Sequence, residues 1–255
     1  MAAQVKILVQ GYSNADSVAE IGEEKTRPTI TLVKDGDVVI IVDPGTLENQ
    51  QTLIGALAKE GLSIYDVNYV CITHSHIDHY RNIGMFPKAK ILEFYGIWDK
   101  ETVVPWAEDF SENIKILATP GHDSTSISLV VTTEDGKVAI CGDVFWKENY
   151  PQDPYDDTYA DNYDKLIENR AKILEMADWI IPGHGPMYRT KKEAEHQDRV
   201  VPEFIRQKPQ KTNGKCKKCG RPMTKAEACL CRPWLCPKCC ECDMDCDLCG
   251  CGHKR

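Results

Sequence analysis

The sequence predicts a layered α/β domain built from two strand-and-helix halves, followed by a small cysteine-rich module. Three observations predict it. Apolar segments of strand length recur along the chain and are interrupted by two longer segments of helical character. Histidines and acidic residues gather directly after those strand-like segments. Eleven of the thirteen cysteines fall between Cys216 and Cys251, leaving only Cys71 and Cys141 in the body.

Taken in order, Val5 to Leu8 opens the β structure, and Thr29 to Val33 pairs with Val38 to Val42 across Lys34-Asp35-Gly36-Asp37, an Asp-Gly hairpin signal. Thr46 to Lys59 reads as a helix, with Leu47, Leu53, Leu57 and Ala58 near helical spacing and Gly61 placed to end it. Val67 to Thr73 is a short, mostly apolar run suited to a strand buried on both faces. Ala89 to Phe94, Ile114 to Ala118, Ser126 to Thr132 and Val138 to Cys141 add strands, the last two joined through Asp135-Gly136. Tyr159 to Ala177 reads as a helix, Trp179 to Ile181 as a strand, and Thr190 to Val200 as a charged helix that Pro202 ends. The polar stretch from Pro209 to Gly214 marks a linker. The expected domains are 1–207 for the body and 208–255 for the cysteine-rich module.

A chain of 255 residues, 42% hydrophobic and 27% charged, has an ordinary globular balance, which excludes a wholly disordered protein. No apolar run reaches the roughly 18 residues needed to cross a bilayer, so no membrane partner is expected. The start, Met1-Ala-Ala-Gln-Val-Lys-Ile-Leu, runs straight into strand pattern without the marks of a secretory signal, so a cytoplasmic location is expected, or a nuclear one in a eukaryotic cell. The formal charge of −8 is unevenly divided: Arg206 to Arg255 carries 12 Lys and Arg against 5 Asp and Glu, and the remainder 19 against 34. An acidic body repels nucleic acid, whereas a tail of +7 attracts it or simply keeps a small module soluble.

Chemistry concentrates in four short stretches. Thr73-His74-Ser75-His76-Ile77-Asp78-His79 follows a buried strand. Residues two apart on an extended segment point the same way, so His74 and His76 can share one cation, and a tight reversal would aim Asp78 and His79 at a second. Thr119-Pro120-Gly121-His122, Cys141-Gly142-Asp143 and Pro182-Gly183-His184 each end another strand, with a glycine beside the ligand that permits close backbone approach. Imidazoles and carboxylates without thiolate suit a catalytic metal site rather than a purely structural one. An isolated His-x-His is usually surface or satisfied core; four such stretches in series are not. His196 has none of this context and is expected on a solvated helix, and Cys71 and Cys141 as small buried hydrophobes rather than nucleophiles.

In these stretches and their order, from about Val5 to Thr190, the chain resembles the metallo-β-lactamase superfamily. The resemblance implies an αββα sandwich with two zinc ions at one edge, manganese or iron being compatible with the same ligands. It implies His74, His76 and His122 at the first metal, Asp78, His79 and His184 at the second, and Asp143 bridging, with Asp43 in Val42-Asp43-Pro44-Gly45 supporting the site. Asp43 has the equal alternative of serving only a Pro-Gly turn. The implied reaction is hydrolysis by a metal-bridging hydroxide, with Asp78 and Asp143 setting its charge and position. The implied substrate is an RNA phosphodiester, with thioester or lactone hydrolysis of the glyoxalase II kind as the alternative. A carboxylate at 143, where classical zinc β-lactamases tend to carry cysteine, argues against antibiotic hydrolysis. A non-catalytic protein that binds zinc or nucleic acid is the reading from a different class, and homodimer formation is left open.

The resemblance does not extend to the tail, where Cys216, Cys219, Cys229, Cys231, Cys236, Cys239, Cys240, Cys242, Cys246, Cys249, Cys251 and His253 offer ligands for two to three structural zinc ions. So little apolar material cannot fold by burial alone, and metal would supply the stability. Lysines and arginines interleave with these ligands, and Trp234 is placed either to pack the module's own core or to stack on a base. Deleting residues 210–255 is expected to weaken RNA cleavage and to flatten its salt dependence; rates unchanged at every salt concentration would remove the tail from substrate binding.

Overall fold

The computed structural model describes residues 2–15, 23–148 and 150–190, together with two short strands in the tail. The chain divides into two compact units, Met1–Glu193 and Ala194–Arg255. In the second unit the described residues form one antiparallel pair, Thr224–Lys225 with Trp234–Leu235. The twelve tail ligand candidates, the charged helix expected at 190–200 beyond Thr190, and the expected boundary at 207/208 lie outside the described residues.

The first unit contains two mixed sheets. Strands β1 (Gln4–Val9), β2 (Tyr12–Ser13), β3 (Thr26–Arg27), β4 (Ile30–Asp35) and β5 (Val38–Val42) come first, followed by helix α1 (Gln51–Lys59). Next are β6 (Tyr69–Cys71), the single-turn helix α2 (Ile77–Tyr80), β7 (Lys90–Glu93), β8 (Gly96–Asp99) and β9 (Thr102–Val104). The second half runs β10 (Ile114–Ala118), β11 (Ile127–Thr133), β12 (Gly136–Ile140), α3 (Tyr163–Met176), β13 (Trp179–Ile181) and β14 (Tyr188–Arg189). One sheet has the order β1-β4-β5-β6-β7-β8-β9 and the other β10-β11-β12-β13-β14, while β2 and β3 form a separate ribbon. Pairing is parallel from β5 through β6 to β7 and between β12 and β13.

Strand alternation explains the layering. In β5, Ile40 and Val42 join the core between the sheets while Ile41 faces the opposite side, where Leu53 and Leu57 of α1 cover it. In the other sheet, Leu129 and Val131 face inward and Val130 and Ala139 face Leu166 and Ile173 of α3. The result is helix, sheet, sheet, helix. Both helices end or begin on local chemistry. Gly61, at φ +72°, closes α1 with Leu62 N–H donating to Leu57 O at 3.0 Å. The Asn162 side chain accepts from Lys165 N–H and caps α3.

The structure departs from the sequence expectation in three places. Helix α1 starts at Gln51 rather than Thr46: the Asn49 side chain accepts from Gln51 N–H at 2.8 Å, a local turn that competes with helix just before it. Helix α3 starts at Tyr163 rather than Tyr159, since Asn162 N–H is drawn to Gly121 O. The short strands β2, β3, β8, β9 and β14 were not legible, being too brief or too exposed to show a period. Among the described residues no helix is long and apolar enough to cross a membrane.

This packing places five strand ends together. Asp43 follows β5, the His74–His79 segment follows β6, and His122, Asp143 and His184 follow β10, β12 and β13. The sheets are joined at that edge by Ile127 N–H to Thr73 O at 2.7 Å and Thr29 N–H to Gly183 O at 2.6 Å. Leu129, fully buried between the sheets, is the test of this core. Leu129→Ala should cost about 2–5 kcal/mol in urea unfolding, read as a lower midpoint with an unchanged slope.

Candidate metal centre

All seven residues singled out in the body converge. His74, His76, His122 and Asp143 form one group and Asp78, His79 and His184 a second, each with one ligand atom per residue within 4.8 Å of the others. His74 Nε2 lies 3.0 Å and His122 Nε2 3.1 Å from His76 Nδ1. His79 Nε2 and His184 Nε2 are 3.4 Å apart. Asp143 stands between the groups: its Oδ2 is 3.1 Å from His184 Nε2 and 3.5 Å from His122 Nε2, and its Oδ1 is 3.4 Å from His79 Nε2.

The far side of each ring decides what the near side presents. Asp43 accepts from Thr73 N–H at 2.8 Å, from the Thr73 hydroxyl at 2.7 Å and from His79 Nδ1 at 2.8 Å. Because the Thr73 hydroxyl donates to Asp43, it accepts from His74 Nδ1, 3.1 Å away. His122 Nδ1 donates to Asp157 at 2.8 Å, and His184 Nδ1 donates to Arg27 O at 3.0 Å. Four rings are thereby held in the tautomer whose Nε2 carries a lone pair. Four Nε2 lone pairs and two carboxylates, all acceptors, crowd one spot. Asp143 Oδ1 is buried there and accepts no hydrogen bond. Such a cluster is satisfied by cations, and its ligand types suit two metal ions.

Electrostatics mark the same spot as one that draws positive charge, proton or cation, on the side of His79 and His184. Burial, reinforced by His79, holds the His74 imidazole well below its ordinary value, and burial, reinforced by His122, lowers His76. For His79, burial is outweighed by Asp143 and Asp43, which hold it well above the usual imidazole range; Asp143 likewise raises His184 against burial. Burial of Asp143 is in turn outweighed by His184 and His79, which keep its carboxyl well below the usual range. Cys71 and Cys141 are buried, and burial raises both thiols far above neutrality, as inert core residues require.

Backbone geometry shows why the glycines are needed. Asp43 itself adopts φ +49°, as Asp tolerates better than most residues. A Cβ on Gly183 would lie 1.7 Å from Asp143 Oδ1, and one on Gly142, at φ +49°, would lie 2.3 Å from the Thr73 hydroxyl. Several contributors escaped the sequence reading. Asp157 takes both His122 Nδ1–H and, at 3.2 Å, Trp146 Nε1–H. Asp123 accepts from the Ser75 hydroxyl at 2.9 Å and ties the two histidine loops together. Thr26 contacts Asp78 and His184. None carries a motif of its own; only Asp123, directly after Pro-Gly-His, was within reach.

Because protons and cations compete for the lone pairs of His79 and His184, apparent metal affinity should rise with pH across the range where these raised imidazoles deprotonate. The gain should approach about tenfold per pH unit for each proton displaced. Chelator-competition titrations between acidic and alkaline buffer check it; an affinity flat with pH contradicts it.

Comparison with known proteins follows the same outline. A family model described as the metallo-beta-lactamase superfamily matches residues 26–184. Metallo-beta-lactamase domain-containing protein 1 of Xenopus laevis is 33% identical over 202 residues, spanning 75% of this chain and 83% of the relative. The human protein of that name is 33% identical over 171 residues, and the chain spans 61% of its length. The solved structure of an N-acyl homoserine lactone hydrolase, with product at its catalytic metal centre, superposes with a TM-score of 0.53 at 15% identity, over 72% of this chain and 92% of the other, a likeness of fold. With the family matched across more than half its residues and a relative one-third identical along most of both lengths, the chain belongs to the metallo-β-lactamase superfamily, whose members are generally metal-dependent hydrolases.

Proposed function

We propose that this protein is a hydrolase that cleaves phosphodiester bonds in RNA with two zinc ions. His74, His76 and His122 would hold one and Asp78, His79 and His184 the other, with Asp143 shared. The observation that carries the hydrolase reading is the meeting of two acceptor-only groups at the buried Asp143 carboxylate. Bound there, the cations would supply Lewis acidity and a nucleophilic water at neutral pH. The chain's own groups do the rest. Asp43 and Asp157 hold His79 and His122 in register. Asp78, with its side chain 17% exposed against 5% for Asp143, is the more accessible carboxylate of the cluster and would orient the attacking water. Tyr159, about half exposed and with its ring 6.3 Å from that of His76, donates to Glu24, and that hydrogen bond pushes its phenol up to about 12. The basic tail would attract the polyanion, and its cysteines would hold two to three structural zinc ions.

Two observations favour a second reading, thioester or lactone hydrolysis. Asp43, Asp123 and Asp157 hydrogen-bond the residues of the two histidine loops, and this acidic surround disfavours a polyanion. A cavity of about 210 Å³ beside His74 and Ser75 has largely apolar walls, Ile72, Tyr80, Ile83, Ile91 and Phe94 among them, suited to an acyl chain. A panel of RNA, single-stranded DNA, a thioester, a lactone and a β-lactam, run on metal-quantified protein, separates the readings. RNA should be cleaved in preference to the esters, and Asp78→Ala should lose at least ~100-fold. Ester turnover without RNA cleavage would replace the phosphodiester reading, and inertness toward the whole panel with the metal loaded would remove hydrolysis.

A further inference from the structure

We propose that Thr26 is a positioning residue that selectively sets the second cation group, Asp78, His79 and His184; the inference rests on the two-cation reading above. Thr26 lies in β3, a strand of two residues paired with β2 in a ribbon apart from both sheets, with Ser13 opposite Thr26. Its hydroxyl oxygen is 3.0 Å from Asp78 Oδ2 and 3.1 Å from His184 Nδ1, residues 52 and 158 positions away in sequence.

A hydroxyl has one hydrogen, and the directions follow from its partners. A carboxylate only accepts, so the hydrogen goes to Asp78. The oxygen then accepts from His184 Nδ1–H, which it shares with Arg27 O at 3.0 Å. The chain His184 Nδ1–H to Thr26 O–H to Asp78 therefore fixes two ligands at once. It leaves His184 Nε2 with its lone pair toward Asp143 Oδ2 and His79 Nε2, 3.1 and 3.4 Å away. It also holds Asp78, the least buried carboxylate of the cluster, at one rotamer.

The first group is supported elsewhere. His122 leans on Asp157 and His74 on Thr73. Among the described residues outside the seven, Thr26 is the side chain that hydrogen-bonds two members of the second group. Losing its hydroxyl should thus discriminate between the two cations, which a general packing defect would not.

The test uses the full-length protein, stripped with chelator and reloaded with Mn2+, a hard cation that the thiolate-rich tail disfavours. Binding is followed by titration, and electron paramagnetic resonance distinguishes a coupled pair from a single ion. Wild type and Thr26→Ser should take up a coupled pair. Thr26→Val, of the same shape without the hydroxyl, should keep the first ion at wild-type affinity and bind the second about 10–100-fold more weakly. Circular dichroism establishes that each variant is folded, and Thr26→Ala carries the same comparison if the valine variant is not. Two ions bound as tightly as in wild type, or both weakened equally, would overturn the proposal. A wild type that never forms a coupled pair would instead sink the two-cation reading, and this inference with it.

Discussion

The constraint on which the rest depends is the crowding of acceptor groups at one end of the sandwich. Imidazole nitrogens whose protons are committed elsewhere, and a buried carboxylate with an unbonded oxygen, are held within hydrogen-bond distance of one another. Lone pairs brought that close in a buried setting are unfavourable unless positive charge sits among them. The rest of the domain acts to keep them there. Twelve strands in two sheets and two covering helices bury the apolar faces that fix five strand ends side by side.

The surrounding shell is as specific as the cluster itself. Asp43 and Asp157 claim the outer nitrogens of His79 and His122, while Thr73 and the Arg27 carbonyl claim those of His74 and His184. Thr73 precedes His74 directly but is itself committed to Asp43, and the other partners lie far away in sequence, so tautomer choice is a property of the assembled fold. The backbone is shaped to the same end, with Asp43 in the left-handed region and glycine at 142 and 183, where a methyl group would strike Thr73 or Asp143. The shell spends conformational freedom on orientation, as a site that must hold charge in one place requires.

Charge separates the two parts of the sequence. The body carries an excess of acidic residues, and Asp43, Asp123 and Asp157 hydrogen-bond beside the cluster, which favours bound cations and disfavours a polyanionic substrate. In the phosphodiester reading, the basic residues of the C-terminal segment would offset that disadvantage for RNA, whereas an uncharged ester would need no such help. The substrate question is thus electrostatic: the same acidic rim is neutral toward one substrate class and opposed to the other.

The sequence by itself determined the main strands, including a buried one within Val67 to Thr73, and the seven side chains that meet, because their chemistry and glycine-flanked spacing are local properties that survive in one dimension. It also bore the resemblance that named the αββα layering. Tertiary structure decided where α3 begins, since the long-range hydrogen bond from Asn162 N–H to Gly121 O takes a residue that the sequence pattern places inside the helix. It alone revealed Asp157 and Thr26, whose partners lie 35 to 158 residues away and whose surroundings read as ordinary loop. A ligand can be recognised by its type, but the residue that orients a ligand is defined only by what folding places beside it.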